Sequence, residues 1–191
     1  MLIQIPADLS VVTLRASGQE LLQRWSEAFA RSVLRGASDL LRARAEIAFY
    51  LGESETVVEE MPTGTQATVV DEGGYHYLAA AHKARRGVRV LFVDRLSRPE
   101  VGGQAREPTR VCVIAYETDT LSVSRMLAHE LGHLLGLAHA HSPEGPGHER
   151  AAAVRARNLM NAGALHPDAE LTPAQVQQAR SSRLARDFGG R

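Results

Sequence analysis

The residues with most to do chemically are packed into one short run, His129-Glu130-Leu131-Gly132-His133-Leu134-Leu135-Gly136-Leu137-Ala138-His139. On an α-helix the step from i to i+4 returns to the same face one turn later, so His129 and His133 can hold one ion between them. Glu130 is rotated about 100° from His129. That places it poorly for coordination but well for hydrogen bonding to a water at the ion, where a general base must sit. An uninterrupted helix would carry His139 about 9 Å along the axis and away from the other two. Gly136 removes the difficulty, because glycine tolerates positive φ and commonly ends helices, letting the chain turn after Leu135 and bring His139 back. Three neutral imidazoles leave a tetrahedral zinc one open position, the arrangement of a catalytic site rather than a closed structural one. Zinc held this way would lower the pKa of its water from about 15.7 to about 7 and polarise a carbonyl beside it, while Glu130 takes the proton and returns it to the leaving amine. The plain alternative is a helix whose histidines share a face by accident.

These residues resemble the extended zinc-binding motif of the metzincin clan of metallopeptidases. The clan's second signature is a methionine turn below the metal, and Asn158-Leu159-Met160-Asn161 resembles it. A lone methionine is otherwise a core filler. The resemblance covers roughly residues 88 to 186 and is strongest from Arg125 to Met160. It implies an α+β fold: a twisted mixed β-sheet with an antiparallel edge strand, a backing helix and an active-site helix, in an α/β/α-like upper part. A smaller, irregular lower part ends in a C-terminal helix. One catalytic domain is expected over residues 1–191, with an upper subdomain of about 1–138 and a lower one of about 139–191.

The resemblance also implies substrate contacts. Val101, Gly102, Gly103, Gln104 and Ala105 would be the edge strand lining the cleft, taking up substrate backbone as an added strand; an ordinary surface loop is the alternative. Asn161, Ala162, Gly163 and Leu165 would wall the pocket for the side chain after the cleaved bond, with Leu165 hinting at an apolar preference. Ala162 stands where astacin-like and serralysin-like members carry a tyrosine, so no ligand is expected from that position. The cysteine of a matrixin-type inhibitory propeptide is also missing, since Cys112 lies inside a strand-like run.

The remaining elements must position this site. Residues 9–15 read as a first strand, and from Gln19 to about Leu41 apolar residues recur at three- and four-residue steps, predicting one amphipathic helix with Trp25 in the core. Ala45 to Leu51 resembles a second strand, followed by an acidic loop or irregular hairpin from Glu53 to Gly74 whose spacing fits no calcium loop. Tyr75 to Arg86 reads as a short helix. Val88–Asp94 and Val111–Tyr116 are continuous apolar runs, the mark of strands covered on both faces. Thr120 or Ser122 can cap the helix bearing the motif, and Thr172-Pro173 announces a C-terminal helix to about Arg186.

Composition sets the outer limits. With 191 residues, 44% of them hydrophobic, and no net charge, the chain can bury one real core and offers no general attraction to nucleic acid or anionic membrane. A single cysteine excludes an intrachain disulfide. No run is long enough to span a bilayer, and no signal peptide is visible at the start. A monomer is expected. The compartment stays open between cytoplasm, leaderless export and a leader already removed, the clan being mostly secreted. His141, His148 and His166 read as solvated loop histidines. The expected function is zinc-dependent hydrolysis of polypeptides. The alternatives are a catalytically retired zinc-binding domain that captures peptides, and a metal-dependent amidase acting on a non-protein amide.

Overall fold

A computed structural model describes residues 1–16, 19–20, 23–61, 70–98, 102–140, 157–161, 166 and 168–189. Its frame is a six-stranded mixed sheet. Strand β1 (Ile3–Ala16) runs parallel to both β3 (Ile47–Glu60) and β4 (Val88–Val93), and pairs antiparallel with the short β2 (Gln19–Glu20). Next to β4 lies β6 (Val111–Ala115), also parallel, and β5 (Gly103–Arg106) closes that side antiparallel to β6. The parallel centre with β5 as an antiparallel edge is the sheet that the resemblance implied, and β2 adds a second antiparallel pairing, to β1.

Alternation along the strands sends side chains to two cores. On one face Ile5, Leu9, Val90, Phe92, Cys112 and Ile114 meet helices α1 (Glu27–Ala45) and α3 (Thr120–Leu134). On the other, Val12, Leu91, Val93, Val111 and Val113 meet Tyr75 and Leu78 of α2 (Glu72–Ala81). This double cover is why β4 from Val90 to Val93, and β6 throughout, are apolar without a break. Trp25 packs across the first core, with its ring centroid 4.5 Å from that of Phe92 and its indole N–H donating to the Val93 carbonyl at 2.8 Å.

Several boundaries depart from the sequence reading. The helix expected from Gln19 begins at Glu27, where the Ser26 side chain accepts the Phe29 N–H, and Gln19–Glu20 are strand. Trp25 has helical spacing to its apolar neighbours but precedes the cap. The acidic stretch from Glu53 is no loop as far as Glu60, because β3 continues beside β1 through the pair Arg15 and Glu60. From Tyr50 to Glu60 none of its residues is buried; main-chain bonds to β1 and polar side-chain pairs such as Glu55 with Ser10 hold the strand, and no hydrophobic run marks it. Its carboxylates suit a sheet edge, which β3 is among the described residues and which charge protects against unwanted pairing. The first strand runs from Ile3 rather than Leu9, and α2 covers Glu72–Ala81 rather than 75–86. Asp119, not Thr120 or Ser122, caps α3, its carboxylate accepting from the N–H groups of Leu121 and Ser122. The C-terminal helix is two, α4 (Pro173–Ser181) and α5 (Arg183–Phe188), divided at the extended residue Ser182.

No helix is long and apolar enough to cross a membrane among the described residues.

Candidate active site

Helix α3 brings His129 and His133 to one face, and the chain just beyond its C-terminus supplies the third histidine. The helix ends in a Schellman motif: Gly136, at φ +80°, donates its N–H to the His133 carbonyl at 2.9 Å, and Leu137 donates to the Gly132 carbonyl at 3.0 Å. Glycine adopts that left-handed conformation without the penalty a Cβ would bring. The turn reverses the chain, and His139 arrives with its Nε2 3.0 Å from that of His133, which lies 3.1 Å from that of His129. No other group of three or more potential metal ligands occurs among the described residues.

Between His129 and His133 the close contact is not a hydrogen bond. His129 Nδ1 lies 2.7 Å from the Leu159 carbonyl oxygen, and His133 Nδ1 lies 2.8 Å from that of Leu137. A carbonyl only accepts, so each Nδ1 carries the proton and each Nε2 presents a bare lone pair to the others. Lone pairs converging in this way repel unless a cation lies between them. Zinc fits: ligands at about 2.0–2.1 Å on a tetrahedron would be about 3.3 Å apart, close to the separations found. Burial holds the His129 imidazole down to about 4, with the neighbouring imidazoles adding to the effect, and burial lowers His133 as well. Both rings are thus kept in the neutral form that a metal requires.

Glu130 is only 6% exposed, and burial pushes its carboxyl up to about 8. A nearby cation acts in the opposite direction, favouring the carboxylate. Its neighbour is the sheet edge: a Cβ placed on Gly103 would fall 2.9 Å from Glu130 Cγ, so the bare backbone there leaves the carboxylate its place. β5 has β6 on one side and no strand on the other among the described residues. The Ala115 N–H donates to the Gly102 carbonyl at 2.9 Å, which makes those two a hydrogen-bonded pair of the antiparallel ladder. Such pairs alternate, so Gln104 also faces inward while Gly103 and Ala105 turn their N–H and C=O groups toward the open edge.

Below the histidines, Met160 is fully buried. A Cβ on Gly132 would come 2.6 Å from its Sδ, so a glycine inside α3 is what lets the thioether reach the helix. The turn carrying Met160 is closed by Asn161 N–H to the Asn158 carbonyl, 3.0 Å, and by Met160 N–H to Asn158 Oδ1, 2.9 Å.

The structure therefore brings together His129, His133, His139, Glu130, Gly102, Gly103 and Met160, with Gln104 and Ala105 along the edge. Val101, Ala162, Gly163 and Leu165 lie outside the described residues, as do His141 and His148. Asn161 is placed only through its turn. His166 stays apart, its Nδ1 accepting the Asp168 N–H at 3.1 Å. Sequence reasoning missed the carbonyls of Leu137 and Leu159, which no residue type could have disclosed. It also missed Asn158 and Gln175, although Thr172-x-x-Gln175 has the spacing of a capping box.

No family model matches the chain, and no curated protein sequence matches it. Solved structures match its fold. Mature mirolysin from Tannerella forsythia, determined in complex with a cleaved peptide, aligns over 98% of this chain and 96% of its own, with a TM-score of 0.61 at 15% identity. Archaemetzincin from Methanopyrus kandleri aligns over 93% of this chain and 94% of its own, with a TM-score of 0.58 at 15% identity. With the mixed sheet, the three-histidine cluster on α3 and the turn after it, these likenesses establish that the chain has the fold of the metzincin-clan zinc metallopeptidases.

Proposed function

We propose that this protein is a zinc-dependent endopeptidase. One observation carries the reading: three imidazole Nε2 atoms converge, two of them, on His129 and His133, freed as lone pairs because their Nδ1 protons go to backbone carbonyls on the far side, beside a buried carboxylate and an open strand edge. His129, His133 and His139 would hold the ion. When bound, zinc supplies a Lewis acid that polarises the scissile carbonyl and makes water acidic enough to attack at neutral pH. Glu130 takes the proton from the attacking water on its carboxylate and delivers it to the nitrogen of the departing amine. The outward N–H and C=O groups of Gly103 and Ala105 pair with an extended peptide, laying its backbone across the carboxylate. A polypeptide substrate suits that edge, and mirolysin, of the same fold, was solved with a cleaved peptide. Met160 would be the methionine of the turn beneath the ion.

The test is to incubate the purified chain with a proteome-derived peptide library, with and without a zinc chelator, and identify products by mass spectrometry. Chelator-sensitive internal cleavage is expected. Glu130→Ala should retain zinc and lose activity by about 10²–10⁴-fold, the usual worth of a general base. Undiminished cleavage by that variant would overturn the assignment of Glu130. Zinc binding with no cleavage at all would point instead to peptide capture.

A further inference from the structure

We infer that Gln175, far along the chain on the C-terminal helix α4, is a positioning residue for the metal ligand His129, acting through Asn158. The inference rests on the metal-binding part of the proposed function and does not require peptidase activity.

The route is a continuous set of hydrogen bonds. His129 Nδ1 donates to the carbonyl of Leu159, so where that carbonyl points decides how the imidazole is turned. Leu159 is held from both sides. Its N–H donates to the Glu170 carbonyl at 2.8 Å, while the Asn158 side chain fixes the turn by accepting the Met160 N–H. The same turn reaches a second ligand, because the Met160 carbonyl accepts from Ala140, the residue after His139, at 2.8 Å.

Asn158 is 6% exposed, and its amide is held by Gln175. Asn158 Nδ2 donates to Gln175 Oε1 at 2.8 Å, and Gln175 Nε2 donates back to Asn158 Oδ1 at 3.2 Å. Chemistry fixes both amide orientations. A backbone N–H can only donate, so the Met160 contact identifies the Asn158 oxygen. The Thr172 N–H, 2.9 Å from Gln175 Oε1, identifies the Gln175 oxygen in the same way. Gln175 thus has two jobs: it completes the capping box of α4 with Thr172, and it clasps Asn158. Capping needs only its oxygen. The clasp needs its nitrogen as well.

That difference provides a clean test. Gln175→Glu keeps an acceptor for Thr172 and supplies the residue most usual at this place in a capping box. It also sets a carboxylate oxygen against Asn158 Oδ1, acceptor facing acceptor. Zinc affinity of the full chain is measured by competition with a chromophoric chelator, the melting temperature of the metal-free protein by calorimetry, and ligand geometry by the visible spectrum of the cobalt-substituted protein. Q175E is expected to melt like the parent without metal, to bind zinc about 10- to 100-fold more weakly, and to show an altered cobalt spectrum; that loss is the usual one when a partner orienting a metal-bound imidazole is removed. Gln175→Ala, which loses both jobs, should lower zinc affinity and the metal-free melting temperature together. Unchanged zinc affinity in Q175E overturns the inference. So does a loss of affinity in Q175E accompanied by a lower metal-free melting temperature, since that marks a merely structural role. A parent protein that takes up no zinc would instead remove the reading on which the inference rests, whereas one that binds zinc and cuts nothing leaves the test intact.

Discussion

Two glycines in the motif do different work, and neither is a ligand. Gly136 is needed for its backbone conformation, and Gly132 for the space that its missing side chain leaves to Met160 Sδ. Gly132→Val should therefore push Met160 away and disturb the Leu159 carbonyl next to it in the turn. Overpacking of this kind costs about 1–3 kcal/mol. Chemical denaturation should show that loss, together with weaker zinc binding; a variant with parental stability and affinity would mean that Met160 moves aside freely. At this scale the sequence was unusually legible. Residue types and their offsets pointed to the three histidines, which the structure brings together, and to Glu130 beside them, because metal ligation and proton transfer demand particular side chains; Met160 stood out only through the resemblance. Asn158 and Gln175 escaped notice because amide side chains serve everywhere, and only their meeting across the fold gives them a purpose.

Among the elements, the two edges of the sheet are built oppositely. β3 offers a long, carboxylate-bearing edge, while β5 offers a short one whose outward groups belong to Gly103 and Ala105, beside Glu130. Ala105→Pro removes one outward N–H without breaking the ladder to β6, and proline is tolerated on an edge strand where its nitrogen faces away from the partner. The variant is expected to fold, to bind zinc as the parent does, and to lose kcat/KM toward long peptides through the missing main-chain bond. Steady-state kinetics beside a zinc titration will separate these effects, and parental kcat/KM would show that substrate does not pair there. Element types in the apolar centre were readable because burial on both faces leaves unbroken runs. β3 beyond Leu51 was not, since a strand with no buried side chain, held by main-chain bonds and polar pairs such as Glu55 with Ser10, has no apolar pattern to read. The start of α1 was misplaced for a related reason, the Trp25 spacing being helical although the chain there is not.

Across the whole molecule, the candidate site joins segments distant in sequence. His129 and His133 come from α3, His139 from the turn beyond it, and the carbonyl steadying His129 from Leu159, itself tied to Glu170 and through Asn158 to α4. An ion bound there would fix α3 to the turn beyond it, against a core that α3 shares with Leu159, Met160 and the C-terminal helices. By linkage, zinc at about 1,000 times its Kd should stabilise the fold by about 4 kcal/mol. Calorimetry should accordingly show a rise in melting temperature with added zinc and a fall with chelator; indifference to both would mean that the site forms no part of the cooperative fold. The sequence showed which side chains meet in this centre. It did not show how the C-terminal helices are tied to it, because that depends on contacts between residues with no chemistry of their own to announce them.

The end of α3 has a practical consequence for engineering. A Cβ at Gly136 would meet nothing within 4 Å, so by space alone this is an inviting place for the familiar glycine-to-alanine route to greater thermostability. Its φ of +80° closes that route, since a left-handed backbone costs an L-residue about 1–2 kcal/mol. The cost would not stay local: relaxing toward ordinary helix would carry the Leu137 carbonyl away from His133 Nδ1. Hardening this protein should begin elsewhere, on the solvent face of β3, where side chains are exposed and far along the chain from the three histidines.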